Sequence, residues 1–300
     1  MSLEAKVYKP TERPNTFASF RRSVLSRNRK NVEFLASLPN KQDHLLPEAK
    51  EFNNRFTQEE LLLFRAGMAM VPRMGSLKEQ GFPIPEGFVE TNLEHIRDAE
   101  GIAKEYHDEY PILRDFINFG RVQIKLKLHD IGEANVAVND RPPIGRTAQD
   151  EKAKRVEPYA GVRILRNISD PVLRQEAIQH YLEHTSKDPN NLEVQMAAFI
   201  DKVQGTVRAA QVAFNIEGVD EHTKNMIRNH LWQTVPRMQE HLSRLLVLLP
   251  TQEAREAICE IGKKEFAILE KYGPPEVAKT YSAGLDNAKM VTIPRRRHVA

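Results

Sequence analysis

The segment Leu128-His129-Asp130-Ile131-Gly132-Glu133 sets an imidazole beside a carboxylate, with a second carboxylate three residues after the first. These are the groups that hold a divalent cation or move a proton. Adjacent side chains on a helix diverge by about 100 degrees, so His129 and Asp130 can share one ion only at a helix end or beside ligands from distant segments. Groups of the right type stand at His95, 34 residues before His129, and at Asp201, 71 residues after Asp130 in Phe199-Ile200-Asp201-Lys202-Val203. Two imidazoles and two carboxylates form an N/O set suited to a first-row divalent ion or magnesium, with positions left for water. Cobalt, manganese, magnesium, iron and zinc are not distinguished by it. Such an ion would activate water, orient a phosphoryl oxygen and offset charge developing in a transition state. Glu133, about one turn after Asp130, stands where a proton carrier is needed.

The elements that must position these groups read as helices. Thr57 followed by Glu60, just before Leu61, Leu62, Leu63 and Phe64, has the form of a capping box, so a helix is expected to begin there and to stop near Pro72. Turn residues from Gly81 to Gly87 precede a helix from Thr91 to about Tyr106, with His95 in its first turns. Val122, Ile124, Leu126 and Leu128 alternate with polar residues at period two, a pattern that by itself indicates a strand. Asn135, Asn139, Asp140, Pro142, Pro143 and Gly145 mark a long loop, followed by a helix from about Asp150. Further helices are expected from Val172 to His184 and from Leu192 to Phe214. Apolar residues at Ile227, Leu231, Val235, Met238, Leu242, Leu245 and Leu249 step by three and four, which is helical spacing, and Pro236 is expected to kink or divide that helix. This stripe reads as core packing, with a homodimer seam as the second reading; a further helix begins at Ala254.

Composition narrows the classes. In 300 residues, 40% hydrophobic and 28% charged side chains are ordinary for a globular chain, and the longest notable apolar run, Leu245 to Leu249, is far short of the roughly 20 residues that cross a bilayer. No membrane partner is expected. Forty-four basic residues against 41 acidic ones give a net charge of +3, which argues against a nucleic-acid partner, although Arg21, Arg22, Arg27, Arg29 and Lys30 form a basic patch in the N-terminal arm. A single cysteine, Cys259, excludes an internal disulfide and fits a reducing compartment, and the first residues show no secretory pattern, so a cytoplasmic location is expected. His180 and His184 have zinc-ligand spacing but lack the glutamate directly after the first histidine that a zinc peptidase requires, and Gly262-Lys263-Lys264 is not a phosphate-binding loop.

Taken together, the motif segments resemble the HD-domain metal-dependent phosphohydrolases, and in particular the branch containing the bacterial 5'-deoxynucleotidases. Glu90-Thr91-Asn92-Leu93-Glu94-His95 is similar to the segment bearing the first histidine, Leu128 to Glu133 to the central His-Asp segment, and Phe199-Ile200-Asp201-Lys202 to the final aspartate segment. Val71-Pro72-Arg73-Met74-Gly75 resembles the segment whose arginine binds substrate phosphate, and Asp150 to Glu157 resembles the helix after the long loop. The resemblance covers roughly residues 60 to 215. It implies an all-α helical bundle, so that Val122 to Leu128 is expected as helix despite its alternation. It further implies metal ligation by His95, His129, Asp130 and Asp201, phosphate contact by Arg73 and proton transfer by Glu133. Two departures accompany it: no aromatic residue follows Arg73, and the carboxylate that the branch places five residues after the glutamate is replaced by valine at 138, with Asp140 as the nearest substitute.

The expected organisation is an N-terminal arm (1–56), an HD-type domain (57–215) and a C-terminal helical extension (216–300). The expected activity is removal of phosphate from a small phosphorylated metabolite, foremost a (deoxy)nucleoside 5'-monophosphate, by metal-activated water. Hydrolysis of another phosphomonoester or a phosphodiester, and a non-catalytic metal-binding scaffold, are the alternatives.

Overall fold

A computed structural model describes residues 42–69, 92–134, 148–208 and 221–272. Within them the chain is all-α, as expected. The helices are α1 (Pro47–Asn54), α2 (Gln58–Ala69), α3 (Asn92–Glu109), α4 (Phe119–Leu128), α5 (Ala148–Leu165), α6 (Pro171–Ser186), α7 (Leu192–Val203), α8 (Glu221–Leu248) and α9 (Gln252–Tyr272). Short 3-10 turns follow α3 (Pro111–Asp115) and α4 (Ile131–Ala134), and a π-helical turn, Gln204–Arg208, continues α7.

Local chemistry sets where these helices begin. At the start of α2, the Thr57 amide donates to Glu60 Oε2 at 2.8 Å while the Glu60 amide donates to Thr57 Oγ1 at 3.2 Å, the reciprocal capping box read from the sequence. Asn118 caps α4 by accepting from the Arg121 amide, and Asn191 caps α7 by accepting from the Val194 amide. Asp170 caps α6 through the amides of Val172 and Leu173, with Pro171 at the first helical position, where its missing N–H costs nothing.

Helix α4 is the axis of the bundle, packed by α1, α3, α6 and α7. This explains its strand-like alternation. Val122, Ile124, Leu126 and Leu128 are buried, but so are Gln123 and Lys125 between them, and Lys127 is half-buried. Gln123 accepts from the Leu46 amide at 2.7 Å and donates to the carbonyls of His44 and Glu100, both at 2.8 Å. The Lys125 ammonium, 1% exposed, reaches Glu183 at 2.6 Å and His180 Nδ1 at 3.1 Å. A helix with so little exposed surface has no broad solvent face to impose a 3.6-residue period, and its buried polar positions are satisfied by partners rather than by water.

The principal core joins α3, α4 and α7 to α8 and α9 through side chains such as Ala103, Tyr106, Phe199, Met238, Leu245, Ile258 and Phe266. A second core lies between α1, α2, α5 and α6 and includes Phe52, Phe56, Phe64, Leu165 and Tyr181. Val235, Met238, Leu242, Leu245 and Leu249 are buried, so this described part of the C-terminal stripe is core. Of the expected kink or division at Pro236, a division is not found: α8 runs unbroken through it, with the proline exposed. No described helix is long and apolar enough to cross a membrane.

Candidate metal centre

Four side chains from three distant segments meet at the C-terminal end of α4. His129 follows that helix directly, and Asp130 begins the turn that carries Glu133. His95 comes from the first turns of α3 and Asp201 from the last turn of α7. Gly132 lets this turn approach α5, since a Cβ there would stand 2.5 Å from the Glu157 carbonyl oxygen and 3.0 Å from the Tyr181 hydroxyl.

His95 Nε2 lies 3.2 Å from His129 Nε2 and 3.2 Å from Asp201 Oδ1. His129 Nε2 lies 3.0 Å from Asp130 Oδ2 and 3.5 Å from Asp201 Oδ1, while His95 Nε2 to Asp130 Oδ2 is 3.9 Å. All four residues are buried, His95 completely. The far sides of both rings are committed. His129 Nδ1 donates to the Leu126 carbonyl at 2.6 Å, and His95 Nδ1 donates to Gln204 Oε1. With a proton on each Nδ1, the two Nε2 atoms face one another and two carboxylate oxygens.

That is a convergence of acceptors, and it calls for a positive charge. Burial works to push the His129 imidazole down, yet the Asp130 and Asp201 carboxylates outweigh it and raise it to about 10. Burial likewise pushes the Asp201 carboxyl up, but the Lys202 ammonium, 2.5 Å from Oδ2, and the two imidazoles hold it well below the usual carboxylate range. The pocket therefore draws either a proton onto His129 or a metal ion. Ligand atoms about 2.1 Å from a common ion stand about 3.0 Å apart at right angles and about 3.4 Å apart at tetrahedral angles. Most of the observed separations lie in or close to this interval, and the residues fit a divalent ion. His95, His129 and Asp201 could hold one, with Asp130 beside them.

Glu133 lies next to this set and is 2% exposed. Its Oε2 accepts from Asn92 Nδ2 at 2.6 Å and its Oε1 from Lys154 Nζ at 2.5 Å. Asp130, Glu133 and Glu157 also bring carboxylate oxygens within 4.8 Å of one another. There the Lys154 ammonium, also 2.8 Å from Glu157, supplies the positive charge.

The structure thus brings together His95, His129, Asp130, Asp201 and Glu133. Arg73 and Asp140 lie outside the described residues. Other contributors carried weaker signals. Asn92, three residues before His95, shares its helix face, a spacing visible in the sequence. Gln204 is aimed at His95 by the π-helical turn, which its residue type does not announce. His184 packs its ring edge against His129 with centroids 5.5 Å apart, and its Nδ1 has no hydrogen-bond partner among the described residues. Burial first, then the adjoining His129, push it down to about 3. The His180/His184 spacing is therefore not a shared ligand pair, because His180 turns away to Lys125 and Phe52.

Compared with family models, curated proteins and solved structures, the chain matches none of them.

Proposed function

We propose that the chain is a metal-dependent phosphohydrolase of the HD type, acting on a small phosphorylated metabolite of the nucleotide class. The observation that carries this reading is the meeting of two imidazole Nε2 atoms, 3.2 Å apart, with the carboxylates of Asp130 and Asp201. Each Nδ1 is held by an acceptor that fixes the tautomer, an arrangement typical of metal-ligating histidines. When bound, a divalent ion supplies Lewis acidity toward water and neutralises phosphoryl charge.

The chain's own residues supply the rest. Leu126 and Gln204 orient the rings, and Lys202 holds the second oxygen of Asp201 so that Oδ1 faces the imidazoles. Glu133, whose oxygens accept from Asn92 and Lys154, lies beside Asp130, where it can take a proton from an attacking water. Arg73, by its sequence segment, is the residue expected to hold the phosphate.

The test is phosphate release from a panel of phosphomonoesters and phosphodiesters with cobalt, manganese or magnesium. Asp201→Ala should lose metal and turnover together. Glu133→Gln should keep the metal and lose about 10²- to 10⁴-fold in turnover. Tight metal retention with no release from any ester would instead leave a metal-binding scaffold.

A further inference from the structure

Glu133 is enclosed, and its two oxygens are not equivalent. Lys154 Nζ stands 2.5 Å from Oε1, so an incoming proton is repelled from that oxygen and directed to Oε2. Oε2 accepts from Asn92 Nδ2 at 2.6 Å. Asn92 opens α3, one turn before His95 on the same face, and is completely buried. Its other heteroatom, Oδ1, is also buried and has no hydrogen-bond partner among the described residues. A buried carbonyl oxygen left without a donor is costly, and such atoms are characteristically completed by an ordered water or a ligand.

The direction of the amide is settled by its neighbour. Turned over, it would set Oδ1 against a carboxylate oxygen at 2.6 Å, two acceptors with no proton between them. The two heteroatoms of one amide are about 2.2 Å apart, so Oδ1 lies no more than about 4.8 Å from Glu133 Oε2. One water molecule spans two acceptors up to about 5.5 Å apart with hydrogen bonds of ordinary length. Asp130, which offers a carboxylate oxygen within 4.8 Å of one from Glu133, borders the same place.

We infer that Asn92 is a further catalytic residue, which with Glu133 Oε2 holds the attacking water by both of its protons. This rests on the phosphohydrolase reading for its reaction. One O–H bond of the water breaks and its proton passes to Glu133 Oε2, while the water oxygen bonds to phosphorus. The phosphorus–oxygen ester bond breaks with its electron pair on the leaving oxygen, which takes the proton back from Glu133. The second proton stays on the transferred oxygen, donated to Asn92 Oδ1 throughout, so that a lone pair of that oxygen is kept aimed at phosphorus. Asn92 Nδ2 meanwhile keeps Oε2 turned to the same water.

High-resolution crystal structures of the full chain and of Asn92→Leu, a change of similar volume, test this. The wild type should show one ordered water within about 2.5–3.0 Å of both Asn92 Oδ1 and Glu133 Oε2, absent from Asn92→Leu. In turnover of a phosphomonoester, Asn92→Leu should keep its metal content and KM and lose about 10²-fold in kcat. With methanol as a second nucleophile, the ratio of methyl phosphate to free phosphate should rise about tenfold in Asn92→Leu, the worth of one hydrogen bond, because methanol has no second proton for Oδ1. A wild-type Oδ1 with no water on it overturns the proposal, and that result needs no variant to fold. So does a product ratio that Asn92→Leu leaves unchanged, which is what a merely structural Asn92 predicts. Cleavage of esters by Asn92→Leu at the wild-type kcat keeps the hydrolase reading and removes Asn92 from it. A wild type that holds the water and cleaves no ester keeps the water site and loses the hydrolase reading.

Discussion

Gly161 on α5 faces the ring of Tyr181 on α6, and this contact sets the spacing of the two helices that carry Lys154, Glu157 and His184. A Cβ at 161 would stand 2.5 Å from Tyr181 Cε1 and closer still to Cζ and the hydroxyl oxygen. Reaching ordinary contact at about 3.4 Å requires roughly 1 Å of movement by a ring that is 1% exposed and whose hydroxyl donates to the Glu157 carbonyl at 3.1 Å. Overpacking of this kind costs about 1–3 kcal/mol, and the better helix propensity of alanine returns about 1 kcal/mol, so Gly161→Ala should destabilise by up to about 2 kcal/mol net. In a Tyr181→Leu background the ring positions are gone, and the same Gly161→Ala change should become neutral or stabilise by up to about 1 kcal/mol. Urea unfolding of the four proteins in the cycle reads this directly. An equal cost for Gly161→Ala in both backgrounds would refute the claim that ring contact alone requires glycine there.

Other perturbations separate the remaining claims. Glu183→Leu strands the Lys125 ammonium with His180 and should cost about 2 kcal/mol, below the 3–5 kcal/mol of a fully enclosed pair because Glu183 is 33% exposed; Lys125→Met, which removes the buried charge, should stay within about 1 kcal/mol of wild type. The reverse order in denaturant midpoints would contradict this account of α4. His241 is pushed down to about 4, by burial first and then by the Lys202 and Lys187 cations. A lowered histidine contributes stability that is complete above about pH 6.5 and is lost as pH falls through about 4, up to about 3 kcal/mol. Urea midpoints measured from pH 7 to pH 4 should therefore fall less steeply in His241→Gln than in the wild type, and parallel slopes would contradict it.

The four ligand candidates were legible because each chemical type sits in a segment whose helical register can be read. Periodicity places His95 early in α3 and Asp201 within α7, and the adjacent His129 and Asp130 call for a helix end or for ligands from distant segments, both of which the fold provides. The α4 helix itself was not legible from its pattern, since Gln123 and Lys125 are polar in sequence yet enclosed by α1, α3 and α6. Only pairing with partners 23 to 79 residues away makes that tolerable. His184 was hidden for a related reason: its spacing from His180 suggests a common ligand, whereas helices packed on either side draw the two rings to different neighbours. Gln204 depends on a π-helical turn, which no residue pattern here signals.

The central claim is that His95, His129, Asp130 and Asp201 surround one divalent ion. Anomalous diffraction from manganese-loaded crystals tests it most directly. One peak is predicted, about 2.0–2.3 Å from both Nε2 atoms and from an oxygen of each aspartate, and absent from Asp201→Ala crystals. A wild-type pocket with the two imidazoles and carboxylates closed on one another and no ion between them, under conditions where the protein is fully loaded elsewhere or not at all, would contradict the account.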